Sequence, residues 1–441
     1  MKTKLFYIYL FCASSLLAQT KKWTLQECIA YALENNISIQ QSELDRKAAE
    51  ISKKDALGDF LPNLSANMRH SWNTGLNTNP VTNTNVTATT QNTNFGISAN
   101  VLLYNGMQNI HRLHKANLEI LANQYQLANI KDNISLRVCN AFLQILFNKE
   151  SLKNLEVQYG FTQQSLERTA NLVASGISPK GDLLDVEATL ANQEQQIVQM
   201  KNNLLVSKLT LANVLVLDDA LSFEIADNLS QVPIDGKTPN NPQKIFSEAL
   251  KFRNEIKISE VAIEMREKDV EIAKGNYLPT LSGSFGFNTN YFNSELLNLP
   301  GFSTQIDDNK GYSFGLNLSI PIFNQFKTSN GVKRSKIMLK KARLEHKDSK
   351  ADLKDKIYQA YADKEGALKT YMAALKTAKA RKEAYTYAKE KYEVGLLNSF
   401  DLSQMQTNLE NAETEVIRAK YDCIFKIKIL EFYFGIPIDN I

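Results

Sequence analysis

The sequence predicts an α+β chain built as two tandem halves, each a β-hairpin set between helices. Three observations predict it. The octapeptide Gly58-Asp-Phe-Leu-Pro-Asn-Leu-Ser65 returns as Gly275-Asn-Tyr-Leu-Pro-Thr-Leu-Ser282. Four runs alternate strictly between apolar and polar residues, the pattern of a strand with two unlike faces. Two proline-free helical patterns, at about 107–174 and 326–394, outlast ordinary globular helices.

Lys2 and Lys4 precede the apolar run Leu5 to Leu17, and Ala18 is a cleavage residue, so residues 1–18 read as a secretory signal peptide. Cys12 lies too early in that run for a lipidation site. Residues 24–59 read as helix, with Thr24 as cap and Glu27 three residues on, as in a capping box. Proline lacks an N–H and pushes the residue before it out of the α region, so Pro62 and Pro279 mark helix-to-strand joints.

The repeat extends past the joints. Ala32-Leu33 aligns with Ala249-Leu250, Ile39 with Ile256 and Glu50 with Glu267, all at the 217-residue offset of Pro62 to Pro279. Beyond the joints the offset is 219: Phe95-Gly96 aligns with Phe314-Gly315, and Gly176 with Gly395. One register held over so many segments is the signature of a duplicated unit. The expected halves are 19–216, with a hairpin at 62–105, and 243–441, with a hairpin at 279–324. Residues 217–242, with Pro233, Pro239 and Pro242, link them.

In the first strand Leu64, Ala66, Met68, His70 and Trp72 oppose Ser65, Asn67, Arg69 and Ser71. In the second Phe95, Ile97, Ala99, Val101 and Leu103 oppose Gly96, Ser98 and Asn100. In the third Leu281, Gly283, Phe285, Phe287 and Tyr291 oppose Ser282, Ser284, Gly286, Asn288 and Asn290. In the fourth Tyr312, Phe314, Leu316, Leu318, Ile320 and Ile322 oppose Ser313, Gly315, Asn317 and Ser319. Runs of about ten residues fit tilted strands crossing a bilayer. Trp72, Tyr291 and Tyr312, with Tyr104 and Phe323 just outside, suit interfacial girdles, and the small polar face suits a wet lumen. A soluble sandwich shows the same alternation; the signal peptide and the long flanking helices favour the barrel. Four strands cannot close a wide barrel, and open edges are not tolerated in lipid, so several chains must share it. Residues 73–94 and 293–310 read as exposed external loops.

Composition narrows the function. The net charge of +4 gives no case for nucleic acid, and no later run of eighteen apolar residues makes a membrane helix. Cys28, Cys139 and Cys423 fit no metal or redox spacing and read as small buried hydrophobes. His70, His111, His114 and His346 are scattered. His111 and His114 lack a third ligand and read as surface residues. There is no phosphate loop and no nucleophile cluster, so no catalytic residue, metal or cofactor is expected.

A helical pattern of roughly 65 residues spans on the order of 100 Å and survives only by packing along its length. Returning helices at 181–216 and 401–432 pair with the distal parts. The tips are then Gly176 to Asp182 and Tyr392 to Asp401, with Gly176 and Gly395 as C-cap residues and Asp182 and Asp401 as N-caps.

The joints, the tandem order and the turns Val-Ala-Ser-Gly-Ile-Ser-Pro-Lys-Gly-Asp and Tyr-Glu-Val-Gly-Leu-Leu-Asn-Ser-Phe-Asp resemble the TolC outer-membrane efflux family over nearly the whole mature chain. The resemblance implies a homotrimer, a shared twelve-stranded barrel in outer-membrane lipid, and a periplasmic α-barrel. Its tip would open on docking a periplasmic adaptor (membrane fusion) protein and an inner-membrane pump. It implies gate residues at Asp182, Asp185, Tyr392 and Asp401, and docking turns around Gly176, Gly395, Leu183 and Leu402. The second half departs from the family pattern: the arginine position holds Leu397 and the second aspartate position Gln404. The expected function is a passive exit duct. The rival is a coiled-coil stalk of the envelope, which needs no lumen and hence no small polar strand face.

Overall fold

The computed structural model describes residues 22–217, 219, 223–226, 232 and 238–438. The signal peptide, Cys12 and most of the linker, Pro233 included, lie outside them. The fold mixes helix and sheet and is mostly helical. It runs β1 (Lys22–Trp23), α1 (Leu25–Asn35), α2 (Ile37–Gly58), β2 (Asn63–Thr78), β3 (Asn85–Asn105), α3 (Gln108–Ala174), α4 (Lys180–Leu215) and β4 (Glu224–Ile225). It continues as α5 (Pro242–Phe252), α6 (Asn254–Gly275), β5 (Thr280–Ser294), α7 (Phe302–Asp308), β6 (Gly311–Ser319), α8 (Lys327–Glu393) and α9 (Ser399–Phe434). Helices α1 and α5 each have 11 residues, α2 and α6 22, α3 and α8 67, and α4 and α9 36. No described helix is long and apolar enough to cross a membrane. The chain divides into two compact units: Met1–Glu43, Tyr125–Lys257 and Asp348–Ile441, and Leu44–Gln124 with Ile258–Lys347.

The first unit is helical around an apolar core. Cys28, Ala32, Val138, Cys139, Ile145, Leu211, Leu215, Ile225, Cys423 and Ile424 form its main cluster, and Ile245, Ala249, Ile256, Leu353, Ile357 and Leu430 a second. The three cysteines are unpaired and buried. Burial pushes the Cys28 and Cys139 thiols up to about 12, because a thiolate is costly away from water. Thr24 and Glu27 form the expected capping box: the Glu27 N–H donates to Thr24 Oγ1 at 3.3 Å and the Thr24 N–H to Glu27 Oε2 at 2.9 Å. The helix expected over 24–59 is broken at Asn36. The Asn36 amide donates to the Val214 carbonyl at 2.9 Å, and its Oδ1 accepts the Ser38 N–H at 3.0 Å, so the residue closes one helix and starts the next.

The second unit carries an antiparallel sheet in the order β2-β3-β5-β6. Its register puts all four apolar rows on one face: Met68 opposes Phe95, Ile97 opposes Phe287, and Phe285 opposes Phe314. That face is bare at both edges, with Leu64 71%, Met68 69%, Phe314 81% and Leu316 74% exposed. The other face is small and polar. Ser65 and Ser98 share a hydrogen bond at 2.9 Å. Gly286 and Gly315 leave room for Ser313 and Ser284, whose hydroxyls would lie 2.6 and 2.9 Å from an added Cβ. His70 Nδ1 pairs with Thr93 Oγ1 at 2.6 Å, and His346 Nδ1 with Ser259 Oγ at 2.7 Å. His111 is half-buried, with Nδ1 unsatisfied, rather than a surface residue.

Both expected loops are largely structured. Of residues 73–94 only 79–84 turn, and β2 and β3 take the rest. Threonine suits a strand, and polar pairs zip the ends: Thr74 and Thr89 hydroxyls at 3.0 Å, Asn77 Nδ2 to the Ala88 carbonyl at 3.0 Å. Strands of 16, 21 and 15 residues therefore exceed the expected ten, and only β6, with 9, matches it. In 293–310, helix α7 folds back on β5: Gln305 accepts from the Phe292 N–H and donates to its carbonyl, both at 2.9 Å.

At the joints, helices α2 and α6 end at Gly58 and Gly275, and Pro62 and Pro279 each stand one residue before a strand. The opposite turns, from strand to helix, carry consecutive left-handed residues: Gly106 and Met107 at φ +66° each, Gln325 at +54° and Phe326 at +63°. Gly106 packs on the α6 end, where an added Cβ would lie 2.3 Å from the Gly275 carbonyl oxygen. Gly106→Ala is therefore expected to destabilise by about 2–3 kcal/mol. Gly160→Ala, at an open helical position, should be neutral or stabilising by up to about 1 kcal/mol. Denaturation midpoints of the two variants in detergent check the contrast.

Candidate functional site

The turns between long and returning helices bring four helices of the first unit together. Helix α3 ends in a glycine-stabilised reversal: Gly176, at φ +73°, donates its N–H to the Val173 carbonyl at 3.0 Å, and Ile177 to Leu172 at 2.9 Å. Helix α8 ends the same way, with Gly395 at φ +75° bonding Tyr392 at 3.1 Å and Leu396 bonding Lys391 at 2.8 Å. The paired 5→2 and 6→1 bonds satisfy carbonyls the helix would leave open, and only glycine takes this φ without strain. Around these turns Ile177, Leu184, Val394, Leu396 and Phe400 stand exposed.

Neither aspartate is an N-cap, contrary to the sequence expectation. Helix α4 starts at Lys180 after Pro179, which makes no side-chain cap, and Asp182 lies in its first turn. Helix α9 is capped by Asn398, whose side chain accepts the Asp401 N–H at 2.8 Å. Asp182 is used across the turn instead: buried Ser399 Oγ donates to its Oδ1 at 2.7 Å, tying α9 to α4. Carboxylates in first turns are also favoured by the helix dipole.

Tyr392 and Leu402 line a small cleft with Thr162, Ser165, Thr189 and Ser403, where the Thr189 and Ser403 hydroxyls meet at 3.2 Å. Leu183 is half-buried and Asp185 exposed. At the two departing positions Leu397 is half-buried and Gln404 exposed. The structure thus brings together Asp182 with Ser399, and Tyr392 with Leu402; Asp185 and Asp401 make no side-chain bond to either pair among the described residues.

A buried polar knot was not foreseen. Glu410 Oε1 accepts from Gln193 Nε2 at 2.7 Å and Gln406 Nε2 at 2.9 Å; Gln406 also reaches Thr162 Oγ1 at 2.8 Å, and Gln158 donates to Glu413 at 3.0 Å. Burial raises the Glu410 carboxyl above the ordinary carboxylate range; the Gln406 and Gln193 bonds pull it back and Glu413 pushes it up. Tyr385 is also raised, by burial and by the Glu410 charge. The only sequence signal was Gln406, Glu410 and Glu413 at helical spacing, which does not reveal the partner helices.

A sheet with one bare apolar face and one small polar face is the surface that a protein inserting strands into a membrane presents. A family model described as outer membrane efflux protein matches residues 28–215 and 245–424, and the chain belongs to that family. Its place is the outer membrane. It is 20% identical over 401 residues to the outer membrane efflux protein BepC of Brucella suis biovar 1 (strain 1330), covering 91% of this chain and 83% of BepC. The fold is similar to that of CusC, at TM-score 0.81 and 16% identity, covering 96% of each chain. It is also similar to the CmeC outer membrane channel of Campylobacter jejuni, at TM-score 0.80 and 17% identity, covering 93% of this chain and 85% of CmeC.

The Glu410 knot gives a pH prediction. A carboxyl with a raised folded pKa binds its proton more tightly folded than unfolded, so stability falls as pH climbs from the ordinary carboxylate value through the raised one. Amide exchange over residues 406–413, corrected for intrinsic rates, should lose protection across that window, and Glu410→Gln should flatten the profile. Identical profiles in the two proteins would exclude the linkage.

Proposed function

We propose that the chain is the passive exit duct of a tripartite efflux or type I secretion assembly. Three copies contribute four strands each to one twelve-stranded barrel, and the long and returning helices form a periplasmic α-barrel. The observation that carries this is the sheet: an apolar face with no cover, a small polar face behind it, and edge strands β2 and β6 each paired on one side only. In lipid those edges need partners, and a second copy supplies them. A stalk gives the small polar face no purpose, so the duct is favoured over it.

Two tandem halves, 19–216 and 243–441 joined by 217–242, underlie the reading, supported by the matched helix lengths. Within one chain Gly106 packs on Gly275, and Gln108 Nε2 reaches Asn276 Oδ1 at 3.4 Å. The equivalents in the repeat are Gln325 with Gly58, and Lys327 with Asp59. A Cβ added at Gly58 would meet nothing within 4 Å in its own chain. A neighbouring copy completes the contact, setting Lys327 beside Asp59, and the exposed Leu44, Ile51, Ile337 and Met338 are covered along the same seam.

Asp182, Asp185, Tyr392 and Asp401 form the periplasmic gate. The turns at Gly176 and Gly395, with Leu183, Leu402 and the exposed apolar residues beside them, receive a periplasmic adaptor, which joins the duct to an inner-membrane pump. With Leu397 and Gln404 in place of charged residues, closure rests on the aspartates of the first half and on the bond that Ser399 makes to Asp182. Energy comes from the pump; the duct has no catalytic residue, metal or cofactor, and binds no nucleic acid. Single-channel conductance in a planar bilayer tests this. The wild type should pass little current, and Ser399→Ala and Asp182→Ala with Asp185→Ala should each raise it severalfold. A protein that never enters the bilayer would refute the duct.

A further inference from the structure

Helix α8 opens with an unbalanced charge. Residues 327–344 contain seven Lys and Arg and no Asp or Glu. Three of them, Lys333, Lys336 and Lys340, are exposed and have no acidic partner among the described residues; Arg343 is paired with Glu267 at 2.9 Å. With Ser329 they stand at i, i+4, i+7 and i+11, on one helix face. Ser329 lines a cavity of about 190 Å³ with Tyr277, Pro321, Ile322, Phe323 and Phe326. Those side chains are strongly exposed, and Ile322 continues the alternation of the bare β6 row from Tyr312 to Ile320. The crevice thus opens beside the lipid face of the sheet, and Lys333 lies one helical turn, about 6 Å, beyond its polar end. The headgroup layer on each side of a bilayer is about 5–7 Å deep. An apolar slot at the sheet's end, followed at headgroup distance by three unpaired cations, matches an acyl chain topped by a phosphate.

We propose that this face is a binding site for an anionic diacyl phospholipid of the leaflet nearest the helices. The acyl chain lies against Ile322, Phe323, Phe326 and Tyr277, and Lys333 and Lys336 receive the headgroup phosphate, with Lys340 adding field. Nearby basic residues attract anionic lipid by charge, an attraction a zwitterionic lipid largely escapes. The site rests on the membrane-inserted reading of the sheet, but not on the gate or on conduction. Native mass spectrometry of the full chain in detergent, titrated with dioleoyl-phosphatidylglycerol, dioleoyl-phosphatidylcholine or inorganic phosphate, tests it. Phosphatidylglycerol should be retained in preference to phosphatidylcholine. Lys333→Gln with Lys336→Gln should lower its retention roughly thirtyfold, and Lys376→Gln with Lys379→Gln should not. Ser329→Trp, which fills the crevice, should lower retention of both lipids. Equal retention of the two lipids, undiminished binding by the Lys333/Lys336 variant, or displacement of lipid by inorganic phosphate would each overturn it. Conductance of the same variants separates the two readings. A lysine variant that loses lipid but still conducts once Asp182→Ala and Asp185→Ala are added leaves the duct standing, and a protein that keeps lipid while those aspartate changes never raise its current leaves the site standing without it.

Discussion

Backbone groups in hydrocarbon must find hydrogen-bond partners, and the rest of the molecule follows from how this chain meets that demand. Its sheet satisfies β3 and β5 on both sides and leaves β2 and β6 each half-paired. The same two strands carry strongly exposed apolar side chains, Leu64, Met68, Phe314 and Leu316 among them. A sheet in water with this face would be an aggregation hazard. In a membrane the same face is solvated by lipid, and the proposed sharing among copies would remove both edges.

The turns beneath the sheet carry the same logic. Gly106 and Gly275 approach each other so closely that neither tolerates a side chain, because the turn between β3 and α3 locks onto the end of α6. Gln325 repeats the left-handed turn of Gly106, and a Cβ added at Gly58 would meet no such close neighbour among the described residues. At the helical tips the balance differs. The ends of α3 and α8 are fixed by glycine reversals, yet α4 and α9 are joined there by a hydroxyl–carboxylate bond, a hydroxyl pair and a half-buried carboxylate held by amides. Such polar links break at lower cost than an apolar core, as the proposed gate requires.

What the sequence revealed was whatever depends on near neighbours. Alternation marked the faces of Phe95 to Leu103, Pro62 and Pro279 marked the joints, Gly176 and Gly395 the turns, and Thr24 with Glu27 a helix start. Contacts between distant residues stayed hidden. Asn36 breaks a helix because its partner Val214 lies 178 residues away. Thr74 and Asn77 read as loop until paired with Thr89 and Ala88 across the hairpin. Asp182 read as a cap because Ser399, 217 residues on, could not be seen beside it. Arg253 gave no sign that it would be buried, stacked 4.1 Å from the Phe432 ring and paired with Glu255 at 3.1 Å.

The central claim is that copies of this chain close one barrel by joining β6 and α8 of one to β2 and α2 of the next. Oxidative cross-linking of an Asp59→Cys, Lys327→Cys double variant in membranes tests it most directly, since Cys28, Cys139 and Cys423 are buried. The account predicts a covalent species of three chains, with each single variant remaining monomeric on a denaturing gel. Exclusively monomeric double variant, in protein shown to be folded and membrane-inserted, would contradict it.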